Sequence, residues 1–184
     1  DDIEVAKMSD KKPSTSELED QSASVLAAKG WQLWRQRDLD GALIAFKAAA
    51  AKNQTDANIY NGLGWTLCNM GNFEDAIEAF EKATKIEPQH GAAINGIGQS
   101  YRGLGRLEDA QTALIKATDS LIEQFGEETV VRQDMTASWL SLIDVAIERE
   151  NWDVATDWAK RYLQHKPDDA RVNTALKKAL AGKE

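Results

Sequence analysis

The apolar and polar positions of residues 57–86 follow the pattern of two helices joined by a short turn. In the first, apolar and small residues recur every three or four positions over roughly 57–70, as on one face of an α-helix. Gly71 and Asn72 break the pattern, and glycine commonly ends a helix in the left-handed conformation. The second helix stops before Pro88, because the residue preceding a proline avoids helical angles. The residues of the two faces are Tyr60, Leu63, Gly64 and Leu67, then Phe73, Ala76, Ile77, Phe80 and Ala83.

The same pair of helices recurs along the chain with a step of 34 residues. Because several independent columns share this period, the pattern predicts a repeat protein. Each unit of such a protein buries its apolar face by stacking on its neighbours. The columns are Gly30, Gly64 and Gly98; Ala42, Ala76 and Ala110; Phe46, Phe80 and Leu114; and Ala49, Ala83 and Ala117.

A fourth pair of helices follows after a longer step. Its alanine column arrives 45 residues after that of the third pair, and Ile143 and Tyr162 stand where a glycine and an alanine are expected. The intervening residues continue the apolar stripes of the flanking helices, through Phe125 on one side and from Val131 on the other. We therefore expect both helices to be lengthened and to pack on each other around a turn that begins at Gly126.

The two ends of the chain differ from the repeats. A last unpaired amphipathic helix over 169–181 would cover the open end of the array, which gives nine helices in all. Residues 1–15 are polar without a clear period and predict a flexible tail or linker, and Ser16 and Glu19 have the spacing of a helix capping box. We expect one domain over 16–184, with units at about 23–56, 57–90, 91–128 and 129–168.

Composition narrows the classes of partner. The net charge of −8 argues against binding to a nucleic-acid backbone. No run approaches the roughly 20 apolar residues of a membrane span, so no membrane insertion is expected. Cys68 is the single cysteine, which excludes an internal disulfide. The chain begins without an initiator Met and is expected to be a fragment, or an exported chain whose signal was removed; a cytoplasmic location is equally compatible.

Residues that could carry catalysis are few. His90 and His165 both fall in or near turns between repeats, 75 residues apart, and His90 is interpreted as a solvated loop residue. Asp38 and Asp40 lie in a tight turn where aspartate is common, without the glutamate that closes a calcium loop. No glycine-rich phosphate loop is present. We therefore expect no enzyme activity, no metal and no cofactor.

The columns of the second unit resemble the tetratricopeptide repeat in residue type and spacing, and the resemblance covers roughly residues 23–181. It implies an all-α fold, a right-handed α-solenoid of about four antiparallel helix hairpins plus a C-terminal capping helix. It also implies a non-catalytic protein–protein interaction module whose first helices line a concave groove that binds a peptide or a partner protein. The matching residues are Tyr60, Leu63, Gly64, Leu67, Ala76, Phe80, Ala83 and Pro88.

In this family the residues off the buried face of each first helix point into the groove. Trp31 and Trp65 are equivalent by the 34-residue step and could offer flat contact surfaces, or could pack between neighbouring helices. Asn61 and Asn95 are also equivalent, and could pair with a peptide backbone or with local groups. The predicted groove residues are Trp31, Trp34, Arg35, Asn58, Asn61, Trp65, Asn69, Asn95, Gln99, Arg102, Asp144 and Glu148.

Charge along this predicted groove changes from Arg35 and Arg102 to Asp144 and Glu148, which would orient a ligand of mixed charge. Two alternatives to peptide binding remain open. The array could self-associate through its fourth hairpin or its tryptophan-rich face. It could also be the accessory scaffold domain of a larger enzyme or of an exported assembly, joined through residues 1–15.

Overall fold

A computed structural model describes residues 21–132 and 136–183, apart from the side chain of Arg132. Every regular element in these residues is an α-helix, as the sequence pattern predicts. The predicted tail at residues 1–15 and the capping box of Ser16 and Glu19 lie outside them. The helices are α1 (Ala23–Arg35), α2 (Leu39–Lys52), α3 (Ala57–Asn69), α4 (Phe73–Ile86), α5 (Gly91–Gly103), α6 (Leu107–Phe125), α7 (Glu127–Arg132), α8 (Ala137–Glu148), α9 (Trp152–His165) and α10 (Ala170–Ala181).

Side-chain caps define where several helices begin. The Asp38 carboxylate accepts a hydrogen bond from the backbone N–H of Gly41 at 2.9 Å and starts α2. Asp169 does the same for the N–H of Val172 at 3.0 Å and starts α10. These bonds satisfy N–H groups that have no partner inside a helix. Asp38 therefore has a structural role in the turn, in agreement with its interpretation from the sequence.

The turns inside the helix pairs use a residue in the left-handed region. Gly71 has φ 83° and Gly105 has φ 72°, as predicted for glycine after a helix end. At the equivalent positions of the first and fourth pairs stand Arg37 with φ 66° and Glu150 with φ 56°. The turn geometry is thus the same in all four pairs, although two of them place a side chain where it is unfavourable.

Phenylalanine rings fit between glycines of neighbouring pairs and fix their separation. Phe80 is fully buried; a Cβ added at Gly64 of its own pair would lie 2.6 Å from the ring, and one at Gly96 of the next pair would overlap it. The missing side chains therefore create the space that the ring fills, and this allows close stacking of α3, α4 and α5. Phe46 is held in the same way by Gly30 and Gly62.

The long step before the fourth pair contains an additional helix. α6 has 19 residues where α4 has 14, so its predicted lengthening is confirmed. The predicted early start of the next first helix is wrong, because α8 begins at Ala137, and Val131 belongs to the separate helix α7. Gly126, with φ 78° and ψ 150°, takes the chain out of α6 and redirects it. The described residues thus form ten helices, not nine; Met135 lies outside them.

The fourth pair builds a larger aromatic core than the others. Trp139 is fully buried, with its ring edge-on to Trp158 at 5.5 Å and to Tyr162 at 5.8 Å. Its indole N–H donates to the backbone oxygen of Trp158 at 3.0 Å. Ile143 and Tyr162, which replace the small residues of the other pairs, are 2 % and 1 % exposed. Large side chains therefore occupy columns that are small elsewhere.

α10 packs on α8 and α9 and ends the array. Val172 and Ala179 are buried on its inner side, whereas Lys177 and Lys178 are exposed on its outer side. This arrangement confirms the predicted capping helix, which covers apolar surface and presents a polar face. Among the described helices, none combines the length and the apolar composition needed to cross a membrane.

Candidate functional site

The first helices of consecutive pairs, α3, α5 and α8, lie beside one another and enclose an open cavity of about 560 Å³. Aromatic, amide and small side chains line it, together with one guanidinium and one thiol. The cavity therefore offers apolar contact and hydrogen-bonding groups at the same place. The lining residues are Trp65, Cys68, Asn69, Phe73, Asn95, Gln99, Arg102, Gly103, Ala137 and Ser141.

The structure brings part of the predicted groove set to this cavity. Trp65, Asn69, Asn95, Gln99 and Arg102 line it. The remaining predicted residues lie on α1, α3 and α8 but do not line it: they are Trp31, Trp34, Arg35, Asn58, Asn61, Asp144 and Glu148.

Some lining residues were not predicted. Phe73 was assigned to the core, but it is only half-buried and forms one wall of the cavity. Ser141 and Ala137 lie one and two turns before Asp144 on α8, so the helical spacing of that residue could have identified them. Gly103 carries no side-chain signal and enters the lining because it ends α5 against Phe73.

Each of the equivalent tryptophans packs against the phenylalanine of its own pair. The ring of Trp65 lies edge-on to Phe80 at 5.4 Å, and that of Trp31 lies edge-on to Phe46 at 5.2 Å. Both tryptophans are half-buried, so each has one supported edge and one accessible part. Trp34 lies edge-on to Trp31 at 5.8 Å. A supported, half-exposed indole is a rigid contact surface with little entropy to lose on binding.

Asn95 and Asn61 have side-chain oxygens that lack a donor. The Oδ1 atom of each is buried and accepts no hydrogen bond from the described residues. Asn95 lines the cavity, whereas Asn61, one unit earlier, is 6 % exposed and does not line it. A buried acceptor without a donor costs about 1–3 kcal/mol. The described residues thus leave the acceptor of Asn95 unsatisfied beside the cavity.

Polar side chains connect α5 to α8 along the cavity. The Gln99 amide donates to the Ser141 hydroxyl at 2.6 Å. Arg102 donates through two nitrogens to Glu148, with 3.1 Å between Nε and Oε2. This hydrogen bond raises the pKa of Arg102 above its ordinary value. Arg102 and Glu148, which were expected to present opposite charges at different places along the groove, are therefore paired with each other.

The remaining acidic groove residue is also paired, since Asp144 accepts from Arg171 of α10 at 2.5 Å. Arg35 is exposed at the end of α1. The pairing of Asp144 and Glu148 removes most of the net charge expected at this end of the groove. A ligand at the cavity thus meets neutralised charges rather than a field that orients it.

His90 caps α5 and contacts a predicted groove residue. Its Nδ1 accepts the backbone N–H of Ala93 at 3.2 Å, so the proton lies on Nε2, which is 3.3 Å from Oδ1 of Asn58. The side chain is half-buried. His90 thus lies in the turn between repeats, where the sequence placed it, and its ring also caps α5 and contacts Asn58.

Cys68 lies in the cavity wall with a protonated thiol. Burial raises the pKa of Cys68, and a hydrogen bond with Ser100 opposes this effect only in part. A thiol with a raised pKa is a poor nucleophile at neutral pH. In the described part of the chain, no group of three His, Cys, Asp or Glu side chains is arranged to hold a metal ion.

Stacked antiparallel helix pairs with a groove along their first helices define an α-solenoid of the protein-interaction type. Two family models described as tetratricopeptide repeat match residues 57–90 and 95–170. The chain therefore belongs to the tetratricopeptide-repeat family, and it is a protein–protein interaction module. Members of this family are generally non-catalytic and bind proteins or peptides.

Several solved structures share the fold. The MamA protein is 21 % identical, with a TM-score of 0.71 over 88 % of this chain and 82 % of that one. PilF of Pseudomonas aeruginosa is 14 % identical, with a TM-score of 0.71 over 88 % and 68 %. The type III secretion translocator chaperone SycD of Yersinia enterocolitica is 16 % identical, with a TM-score of 0.62 over 70 % and 94 %. No curated protein matches this chain in sequence.

Proposed function

We propose that this chain is a non-catalytic adaptor that binds an extended peptide segment of a partner protein at the cavity between α3, α5 and α8. The observation that carries the proposal is that Asn95 lines the cavity while its side-chain oxygen, buried in the free protein, has no donor among the described residues; a turn of the amide would bring this oxygen to the cavity. The N–H groups of an extended peptide are the donors that such an oxygen accepts. A net gain of about 1 kcal/mol is expected from this bond.

The other lining residues suggest which peptide side chain enters the cavity. Trp65 and Phe73 provide aromatic walls, and Gly103 and Ala137 leave room between them. Arg102 is already paired with Glu148, so a charged side chain would find no free partner there. An uncharged apolar side chain, next to the N–H that reaches Asn95, fits these surroundings best.

The experiment selects peptides from a random display library on the full chain and measures their affinity by fluorescence anisotropy. Asn95→Ala is expected to weaken binding about fivefold through the lost hydrogen bond. Trp65→Leu is expected to weaken it about tenfold through the lost contact surface. Asn72→Ala is the matched control, because Asn72 is exposed and its side chain makes no cap hydrogen bond.

Stability separates a binding role from a structural one. Asn95→Ala removes a buried acceptor that has no donor, which relieves its penalty and offsets the loss of packing, so the free energy of unfolding should not fall by more than about 0.5 kcal/mol. Equal affinities of the selected peptides for wild type, Asn95→Ala and Trp65→Leu would refute the groove assignment. A mass in solution that doubles with concentration, and no enriched peptide, would favour self-association instead.

A further inference from the structure

The last residue of the first helix in the third pair differs from its equivalents in the other pairs. α1 ends at Arg35, α3 at Asn69 and α8 at Glu148, all of which carry a polar side chain. α5 ends at Gly103 instead. Arg35, Asn69 and Gly103 follow one another at the 34-residue step and so occupy one column of the register. The third pair thus lacks a side chain where the other pairs have a polar one.

The missing side chain makes room for an aromatic ring of the preceding pair. A Cβ added at Gly103 would overlap the ring of Phe73, at its Cε1 and Cζ atoms. Phe73 is the first residue of α4, and it is half-buried. Both residues line the cavity between α3, α5 and α8. The position of this aromatic wall therefore depends on the absence of a side chain at the end of α5.

The C-terminal end of the array shows the same relation between a ring and a glycine. Trp152 is the first residue of α9, and a Cβ added at Gly182, directly after α10, would overlap its indole. The other two second helices, α2 and α6, begin with Leu39 and Leu107. The first helices that follow them, α3 and α8, end in residues with side chains. In the described helices, an aromatic residue in this column thus occurs with a glycine in the next unit, and a leucine with a larger residue.

A side chain at position 103 would change the shape of the cavity. The ring of Phe73 would have to give way, and the cavity is the open space that borders both residues. Away from the cavity the ring meets closely packed protein, which leaves it less room to move. The displaced ring would therefore enter the space that it shares with Trp65, the other aromatic wall.

We propose that Gly103 and Phe73 determine the size of the side chain that the cavity accepts, and that they select a large apolar one, of the size of leucine, methionine or phenylalanine. This inference rests on the function proposed above, the binding of an extended peptide in this cavity. A large side chain can contact Trp65 and Phe73 at once. A side chain as small as alanine leaves a gap between the walls and loses those contacts.

The test selects peptides from one random display library on wild type and, in parallel, on Gly103→Ala. Wild type should enrich a large apolar residue at one position of the peptide, and Gly103→Ala should enrich a small one there. A peptide selected on wild type and its copy with alanine at that position are then compared by fluorescence anisotropy. Wild type should bind the large side chain about thirtyfold more tightly than alanine, and Gly103→Ala less than about threefold.

A second variant reverses the change in shape. Phe73→Leu in the Gly103→Ala background combines a leucine with a side chain in the next pair, the combination that α2 and α6 make with their neighbours. The smaller leucine leaves room for the added methyl group, so the cavity should open again. The double variant should regain a preference of at least about tenfold for the large side chain.

The matched control is Gly182→Ala, which places the same methyl group against Trp152, outside the lining of the cavity. It should leave both affinities and their ratio unchanged. A ratio in Gly103→Ala that equals the wild-type ratio would overturn the inference, even where Trp65→Leu weakens binding and so supports the groove itself. A selected peptide whose affinity neither Trp65→Leu nor Gly103→Ala changes would overturn the proposed function and the inference together.

Discussion

At the scale of single residues, Phe80 illustrates how glycine and an aromatic ring together set the distance between helix pairs. Gly96→Ala would add a methyl group that overlaps the buried ring. Alanine is the better helix former by about 1 kcal/mol, but overpacking costs about 1–3 kcal/mol, so a net loss of about 1 kcal/mol is expected. Urea denaturation followed by circular dichroism measures it.

A second substitution checks that this loss comes from the ring. Leu114 takes the place of Phe80 in the third pair, where it contacts Gly98. Gly96→Ala should therefore cost less in a Phe80→Leu background than in wild type. Equal costs in the two backgrounds would mean that the ring is not the obstacle.

Arg37 and Glu150 hold side chains in a backbone conformation that favours glycine. Arg37→Gly and Glu150→Gly should each raise the free energy of unfolding by about 0.5–1 kcal/mol. The left-handed conformation costs a residue with a side chain about 1–2 kcal/mol, and glycine removes this cost. Part of the gain is offset because glycine also makes the unfolded chain more flexible. Lys47→Gly, at an exposed position inside α2, should lower it by about 1 kcal/mol. Thermal and urea unfolding measure the free energies of unfolding of all three variants. A lower free energy of unfolding for Arg37→Gly would contradict the inference that the backbone at Arg37 is strained.

Residue columns show how far the sequence predicts the site. Helical spacing placed Trp65, Asn95 and Gln99 on one predicted surface, and all three line the cavity, because the period of an α-helix determines which residues share a face. The partner of Arg102 was missed. Glu148 is 46 residues away, and their meeting depends on how α5 approaches α8, which no local pattern describes.

At the scale of elements, the short helix α7 is attached to α9 by charge. Glu127 accepts hydrogen bonds from Arg161 and lies 3.3 Å from Nε2 of His165. The hydrogen bond from Arg161 is the main reason why the pKa of Glu127 lies below its ordinary value of 4.5. Arg161 also stacks on Trp158, with its guanidinium carbon 4.4 Å from the ring centroid. The contact joins the inserted segment to the fourth pair.

The lowered pKa of Glu127 predicts a pH dependence. Its contribution to stability is present above the unfolded pKa and is lost as pH falls through the lower folded value. Wild type should therefore lose its advantage over Glu127→Gln as the pH falls below the ordinary glutamate pKa of 4.5. Thermal unfolding across this range measures it, with Glu78→Gln at an exposed position of α4 as control. Parallel curves for wild type and Glu127→Gln would contradict the prediction.

Element boundaries were predictable where a cap or a breaker is local. Gly71 and Pro88 end the two helices of the second pair as expected. The helix boundaries of the inserted segment before the fourth pair were harder to predict. Val131 continues an apolar stripe whether its helix is joined to α8 or is separate from it. Gly126 ends α6, and Val130 and Val131 of α7 are buried in the same core cluster as Trp139 of α8. That packing depends on the tertiary structure, which a local pattern does not describe.

At the scale of the whole molecule, the repeat places the first helices of consecutive pairs side by side. The groove side is connected by Gln99 with Ser141, by Arg102 with Glu148, and by Asp144 with Arg171. These contacts tie α5 to α8 and α8 to α10. Exposed ion pairs of this kind contribute little stability each, about 0–1 kcal/mol. Their main effect is to hold the helices that border the cavity in one arrangement.

Cys68 provides the most direct measurement of the central claim, that a peptide binds in the cavity between α3, α5 and α8. It is the only cysteine of the chain and lies in the cavity wall, so its alkylation reports on that place alone. Because its pKa is raised, the reaction is followed at mildly alkaline pH. A selected peptide at saturation should slow the alkylation of Cys68 at least about tenfold, as expected for more than nine-tenths occupancy. An unchanged rate at saturation would show that the peptide binds elsewhere and would contradict the account.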